Sequence, residues 1–128
     1  QKLKKRTVCS KNFSESLGVV THYLSDFFCH AHKADFRGGL VSHYVYELKL
    51  AAYFRKKGKS LNSNEFTRLL KHDAKYCDTC LFLEHLHRKY INRSPSYALD
   101  IIYSLTACIS TAVSVIEACL DEKIDLAA

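Results

Sequence analysis

The chain has 128 residues, of which 48% are hydrophobic and 25% are charged, with four glycines and one proline. This length and composition exclude a wholly disordered chain and a multidomain enzyme, and they predict a single core. The net charge of +6 would attract acidic partners if it were concentrated on one face. Because the sequence contains no methionine, we expect it to be a fragment of a larger protein, and we favour an intracellular location over secretion.

The first helical segment, about Asn12 to Lys33, follows a basic N-terminal segment, residues 1–10, which is a candidate for disorder. Its apolar residues recur at spacings of three and four, which collects them on one stripe. The pair Gly38-Gly39 then favours a turn. A second helix is predicted from about Leu40 to Lys57. Its predicted buried face consists of Val41, Tyr44, Val45, Leu48, Ala51 and Ala52.

The third helical segment begins at Asn62 or Ser63 and fades near Asn92. Asn62 with Glu65 has the spacing of a capping box. A segment of about 30 residues is much longer than the average helix of about 11–12 residues. The length therefore predicts a break near residues 72–78.

The fourth helix is predicted to start at Ser94-Pro95, where an N-cap hydroxyl precedes a proline. Its apolar residues cover more than a narrow stripe, as expected for the most central helix. Its longest uncharged run, residues 101–116, is shorter than the roughly 20 residues that span a bilayer, so we predict no membrane span. We predict an all-α fold, a compact antiparallel bundle of four main helices forming one domain over residues 11–128.

Thiol and imidazole side chains, which are common zinc ligands, are grouped at two places in the chain. One group lies near the end of the first segment and the other lies in the third. Zinc binding by both groups requires the third helix to be broken, since an intact helix would place Cys77 and Cys80 too far from the first group. The predicted structural zinc site, if any ion is bound, consists of Cys29, His32, Cys77 and Cys80.

His43 is an alternative zinc ligand, because the start of the second helix should lie at the same end of the bundle as Cys29 and His32. With an intact third helix, the fourth ligand would be His85 or His87. Two further interpretations of the six cysteines stay open. They would form disulfides in a secreted, cytokine-like bundle, or they would be small buried hydrophobic residues.

Two short motifs resemble parts of enzyme families. His72-Asp73 with Tyr76-Cys77 resembles the histidine and aspartate pair of secreted phospholipases A2, which implies water activation beside calcium. Arg37 and His43 resemble the spaced pair of HEPN-type ribonucleases. That resemblance implies RNA cleavage with His43 as the acid or base and Arg37 on the phosphate.

The remaining function hypotheses rest on surface charge and on the absence of catalytic motifs. A basic turn of Arg55, Lys56, Lys57 and Lys59 is a candidate site for nucleic acid or an acidic partner. The sequence has no Gly-x-Ser-x-Gly, P-loop, His-Glu-x2-His or dinucleotide motif. Our leading prediction is therefore a noncatalytic protein-interaction domain, a scaffold or adaptor that binds a partner helix or an acidic peptide. A homodimer is compatible with this prediction.

Overall fold

The computed structural model describes residues 10–61, 63–73 and 78–125, with side chains except those of residues 63, 71–73 and 121–125. Within these residues the protein is all-α, which confirms the predicted class. Five helices are present where four main helices were predicted. Their bounds are α1 Lys11–Phe27, α2 Leu40–Lys57, α3 Ser63–Asp73, α4 Thr79–Ile91 and α5 Tyr97–Asp125. Short 3₁₀ turns cover His30–His32 and Gly58–Ser60.

Helix α1 is capped at its start by Ser10, whose hydroxyl accepts a hydrogen bond from the Phe13 amide at 3.2 Å. The helix ends at Phe27, before the predicted end near Lys33. Cys29 adopts an extended backbone, and the 3₁₀ turn of residues 30–32 follows it. The chain is not helical at Gly38-Gly39, but the hydrogen-bonded turn lies before this pair, where the Phe36 amide donates to the Lys33 carbonyl at 3.0 Å. A Cβ at Gly38 would clash with the Phe36 ring, so the close approach of that ring requires glycine. The connection brings the 3₁₀ turn beside the start of α2.

The predicted break of the third segment is confirmed. Helix α3 ends at Asp73, and α4 begins at Thr79. The Asp78 carboxylate caps α4 by accepting a hydrogen bond from the Cys80 amide at 2.7 Å. Three residues on which our predictions depended lie outside the described residues: Asn62, Tyr76 and Cys77.

Helix α5 is the central element, as predicted, because it contacts α1, α2, α3 and α4. Its predicted cap was wrong by two residues, since the Ser96 hydroxyl accepts the hydrogen bond from the Leu99 amide. Helices α3 and α4 pack buried apolar side chains against α5, together with Phe28, the residue that follows α1. The buried cluster comprises Phe28, Leu69, Phe82, Leu86, Tyr90, Leu99, Ile102, Tyr103 and Ala107.

The predicted buried face of α2 was wrong. Val41 and Tyr44 are 77% and 61% exposed, and Leu48 is also exposed. Helix α2 instead contacts the rest of the protein through aromatic and polar side chains, and both Tyr46 and Tyr53 pack against Tyr97. Simple apolar periodicity failed because tyrosines and a glutamate occupy the inward side of this helix.

Within the described part of the chain, one segment has the length and apolar composition of a membrane span. It is the 24-residue stretch Tyr97–Leu120 of α5. Half of its most apolar window is buried inside the protein, and the central helix of a folded domain has the same property.

Candidate metal centre

Three metal-binding side chains converge where the 3₁₀ turn meets the start of α2. His32, His43 and Glu47 place one possible ligand atom each within 4.8 Å of the others, and we call these residues the ligand cluster. Oε1 of Glu47 lies 3.1 Å from Nε2 of His32 and 3.2 Å from Nε2 of His43. The two imidazole rings meet edge to face, with centroids 4.4 Å apart. The predicted proximity of His32 and His43 is therefore confirmed.

Local backbone geometry explains how the ligand cluster forms. His43 and Glu47 are four residues apart on α2, so their side chains lie on the same face, one turn apart. His32 comes from the 3₁₀ turn, whose backbone is fixed by hydrogen bonds from His32 to Cys29 and from Lys33 to His30. Two segments joined by the non-helical residues 33–39 thus contribute ligands to one site.

Asp26 extends the ligand cluster towards α1. Its Oδ1 lies 3.6 Å from Nε2 of His32, and its Oδ2 lies 3.6 Å from Nε2 of His22. The two oxygens of one carboxylate thus face two different imidazoles. One carboxylate on α1 therefore contacts an imidazole of its own helix and an imidazole of the ligand cluster.

The ligand cluster is partly open to solvent. The side chains of His32, His43 and Glu47 are 31%, 32% and 43% exposed. The hydrogen bond to His32 lowers the pKa of the Glu47 carboxyl, and the one to His43 acts in the same direction. The carboxylate form that a metal requires is therefore favoured in the folded protein.

The arrangement fits a zinc ion. Nitrogen and oxygen ligands lie about 2.0–2.2 Å from zinc, which places neighbouring tetrahedral ligands roughly 3.4 Å apart. The distances from Glu47 to the two histidines, 3.1 and 3.2 Å, are close to this value. Three protein ligands with solvent access match catalytic zinc sites, which keep one position open, better than closed four-ligand structural sites.

A cleft adjoins the ligand cluster, shares His32 with it and is also lined by Asp26. Its volume is about 710 Å³, which is within the usual range for small-molecule sites. Phe27 stacks on His87 in its wall, with ring centroids 3.9 Å apart. Burial, followed by the charge of Lys33, lowers the pKa of His87. The complete lining is Tyr23, Asp26, Phe27, His32, Lys33, Ala34, Asp35, His87 and Ile91.

Of the predicted thiol ligands, the two that the structure describes, Cys29 and Cys80, do not join this group. Cys29 is buried at 5% exposure, and burial raises the pKa of its thiol to about 11. Cys80 is exposed at the start of α4, and Cys77 lies outside the described residues. Of the predicted zinc set, the structure brings together His32 and the alternative ligand His43.

The cysteines of the described residues form no disulfide: Cys29, Cys80, Cys108 and Cys119 are all free thiols. The basic turn is exposed, with Arg55, Lys56 and Lys57 in the last turn of α2 and Lys59 in the 3₁₀ turn that follows, and it is separate from the ligand cluster. A role for it in binding an acidic partner stays a prediction.

Sequence reasoning missed Glu47 and Asp26 because it considered thiols and imidazoles alone as ligands. A signal was available, since His22 and Asp26 share the one-turn spacing of His43 and Glu47. Carboxylate oxygens also bind zinc. Two histidine-carboxylate pairs around His32 would have indicated a metal centre without the cysteines.

Comparison with known proteins supplies the class of chemistry. A sequence model of the family described as zinc dependent phospholipase C matches residues 1–103 of the 128. No curated protein and no solved structure matches the chain. The match shows that the predicted noncatalytic interaction domain was wrong, because the family is one of enzymes. Since the matched region contains the whole ligand cluster and most of the chain, we conclude that the protein belongs to the zinc-dependent phospholipase C family.

Proposed function

We propose that this protein is a zinc-dependent phospholipase C that uses the ligand cluster as its metal centre. The observation that carries the proposal is the convergence of His32, His43 and Glu47, whose possible ligand atoms all lie within 4.8 Å of one another. The reaction adds water across the bond between phosphorus and the glycerol oxygen. The hydroxyl goes to phosphorus, and diacylglycerol leaves as an alcohol with the remaining proton.

The side chains of the ligand cluster would hold and orient the ion. When bound, zinc supplies Lewis-acid polarisation of a phosphate oxygen and lowers the pKa of a bound water. Partial exposure of all three ligands leaves room for a phosphate group beside them. Nε2 of His32 and Nε2 of His43 both form a hydrogen bond with Oε1 of Glu47. Zinc would bind these three atoms, so its binding must displace the protons of the two hydrogen bonds.

The adjoining cleft is the proposed substrate site. Its wall combines one cationic side chain, Lys33, with the exposed apolar surfaces of Tyr23 and Phe27. The Lys33 ammonium lies 4.3 Å from the centroid of the Tyr90 ring, which orients it by a cation–π contact. A phospholipid has both an anionic phosphate and apolar parts, so the wall matches its chemistry.

The position of Asp26 supports a second zinc ion between His22 and the ligand cluster. One Asp26 oxygen faces His32 and the other faces His22 at equal distances of 3.6 Å. Two-metal hydrolytic sites use ions about 3.5–4 Å apart to stabilise both the attacking and the leaving oxygens. Native mass spectrometry at increasing zinc concentration would count the bound ions.

The direct test measures release of diacylglycerol from mixed phospholipid micelles. We expect activity that disappears when the protein is stripped with a chelator and returns when zinc is added. Glu47→Gln should abolish it, because an amide cannot replace the carboxylate as an anionic ligand.

Glu15→Gln is the matched control, since Glu15 is an exposed residue whose partner is the still more exposed Lys11 on the surface of α1. It should retain wild-type activity. Full zinc-dependent activity in the Glu47→Gln variant, or no zinc-dependent hydrolysis by the wild-type protein, would contradict the proposal.

A further inference from the structure

Asp100 is a buried acidic residue in the first turn of the central helix α5. It is 1% exposed, although the side chain carries a carboxyl group. Among the described residues no lysine or arginine forms an ion pair with it. Burying such a group is costly unless hydrogen bonds compensate for the lost water. Its partners therefore indicate its role.

Three donors surround the Asp100 carboxyl group. Oδ2 accepts hydrogen bonds from the His30 backbone amide at 3.0 Å and from the Tyr46 hydroxyl at 2.8 Å. Oδ1 accepts one from the Tyr90 hydroxyl at 2.8 Å. We call these four residues the Asp100 network. It joins the 3₁₀ turn, α2 and α4 to α5.

Two of these three hydrogen bonds end on segments that carry metal ligands. His30 opens the 3₁₀ turn that places His32, and Tyr46 directly precedes Glu47 on α2. Both bonds reach the same carboxyl oxygen, Oδ2, so one atom fixes the distance between the two segments. The third bond, from Tyr90, reaches α4, which contributes no residue to the ligand cluster.

We propose that Asp100 is a positioning residue for the metal centre, holding the turn that carries His32 and the helix that carries Glu47 in register through one buried oxygen. This inference rests on the proposed function. It assigns a role to the buried network beneath the ligand cluster, separate from the ligands themselves. Such outer partners of metal sites typically contribute about 10–100-fold to metal affinity.

The network provides a matched pair of variants for the test. Tyr46→Phe removes one hydroxyl bonded to Asp100 on the ligand side, and Tyr90→Phe removes one on the other side. Both hydroxyls lie 2.8 Å from the carboxyl group, and both substitutions keep the ring. We expect both variants to lower the melting temperature.

Zinc affinity, measured by competition with a chromophoric chelator, should separate the pair. Asp100→Asn and Tyr46→Phe should weaken zinc binding by about 10–100-fold, whereas Tyr90→Phe should leave it within about twofold of wild type. Equal zinc affinity in all four proteins would overturn the inference, as would equal losses for Tyr46→Phe and Tyr90→Phe.

A zinc-free measurement separates failure of the inference from failure of the proposed function. The imidazole signals of His32 and His43 in two-dimensional NMR of the metal-free protein should shift in Asp100→Asn and Tyr46→Phe and not in Tyr90→Phe. If the wild-type protein bound no zinc, the proposed function would fail while these shifts would still support the positioning role. Unchanged imidazole signals in Asp100→Asn would overturn that role.

Discussion

The ligand cluster and the Asp100 network are two carboxylate-centred sites that share the same two chain segments, yet their surroundings differ. Glu47 faces two imidazoles and is 43% exposed, whereas Asp100 faces two hydroxyls and an amide and is 1% exposed. Imidazole nitrogens can exchange a proton for a metal ion, but hydroxyls and amides in a buried site act as hydrogen-bond donors. The open site is suited to bind an ion, and the closed one is suited to hold the backbone.

This difference shows how a small helical domain can place a metal ligand on a segment outside its α-helices. His32 lies in a three-residue 3₁₀ turn whose middle residue, Ala31, is buried. Phe28 and Cys29, which precede the turn, are also buried and help to anchor it in the core. Local mobility at the ligand is thereby reduced without covering the ligand atoms.

The largest effect on metal binding is expected for His43→Ala. Removing a ligand should weaken zinc binding by more than the about 10–100-fold that loss of an outer partner costs. Competition with a chromophoric chelator measures the change. His22→Ala is the comparison, because His22 lies at the exposed edge of the site with 72% of its side chain accessible. If His43→Ala lost less zinc affinity than His22→Ala, the assignment of His43 as the more important ligand would be wrong.

A core substitution should affect stability without affecting the site. Leu86 is 1% exposed in the cluster that packs α4 against α5. Leu86→Ala should reduce the free energy of unfolding by about 2–5 kcal/mol, because it removes buried methyl groups and leaves a cavity. Urea denaturation gives the magnitude. Zinc affinity of the folded variant should match wild type, and a tenfold loss would show that the core and the site are not separable.

Alkaline pH should destabilise the anchored turn through Cys29. Burial raises the pKa of this thiol from 9.0 to about 11, so the folded protein holds the thiol proton more tightly than the unfolded chain. The resulting stability is complete below about pH 9 and is lost as the pH rises towards 11. At about 1.4 kcal/mol per pKa unit, the contribution is at most about 3 kcal/mol.

The Cys29 contribution is isolated by comparing wild type with Cys29→Ala in urea at pH 8 and pH 10. Wild type should lose more stability over this interval, since the other titrating groups are common to both proteins. An equal loss in both proteins would show that Cys29 titrates normally in the folded state.

The smallest effect is expected in the basic turn. Arg55 lies eight residues beyond Glu47, about 12 Å along α2 at 1.5 Å per residue. Replacing Arg55, Lys56, Lys57 and Lys59 together by serine should change zinc affinity by less than about twofold, because water and salt screen charges at this distance. A larger change in the chelator competition would place the basic turn within the electrostatic reach of the metal centre.

Much of the fold followed from local signals in the sequence. The length of the third segment and the breadth of the fourth helix correctly predicted a break and a central helix, whereas the turn expected at Gly38-Gly39 lies at residues 33–36 instead. The faces of α2 were assigned wrongly, since its inward side carries Tyr46 and Glu47 while Val41 and Leu48 are exposed. The spacing of apolar residues predicts which face of a helix is buried by hydrophobic packing. It cannot identify a face that is buried through hydrogen bonds and ring contacts.

The ligand cluster was predicted only in part, because contacts made by charged and polar side chains were again overlooked in the sequence. His32 and His43 were brought together by counting residues along the helices, but their shared partner Glu47 was treated as an ordinary charged residue. Asp100 carried no signal at all, because a single acid near a helix start is usually a solvated, dipole-favoured residue. Its role depends on three residues, His30, Tyr46 and Tyr90, that only the folded chain brings together.

The most direct test of the account is a crystal structure of the zinc-loaded protein with anomalous data collected at the zinc absorption edge. The account predicts a zinc peak about 2.0–2.2 Å from Nε2 of His32, Nε2 of His43 and a carboxylate oxygen of Glu47. A peak bound by Cys29 or Cys80, or no peak at the ligand cluster, would contradict it.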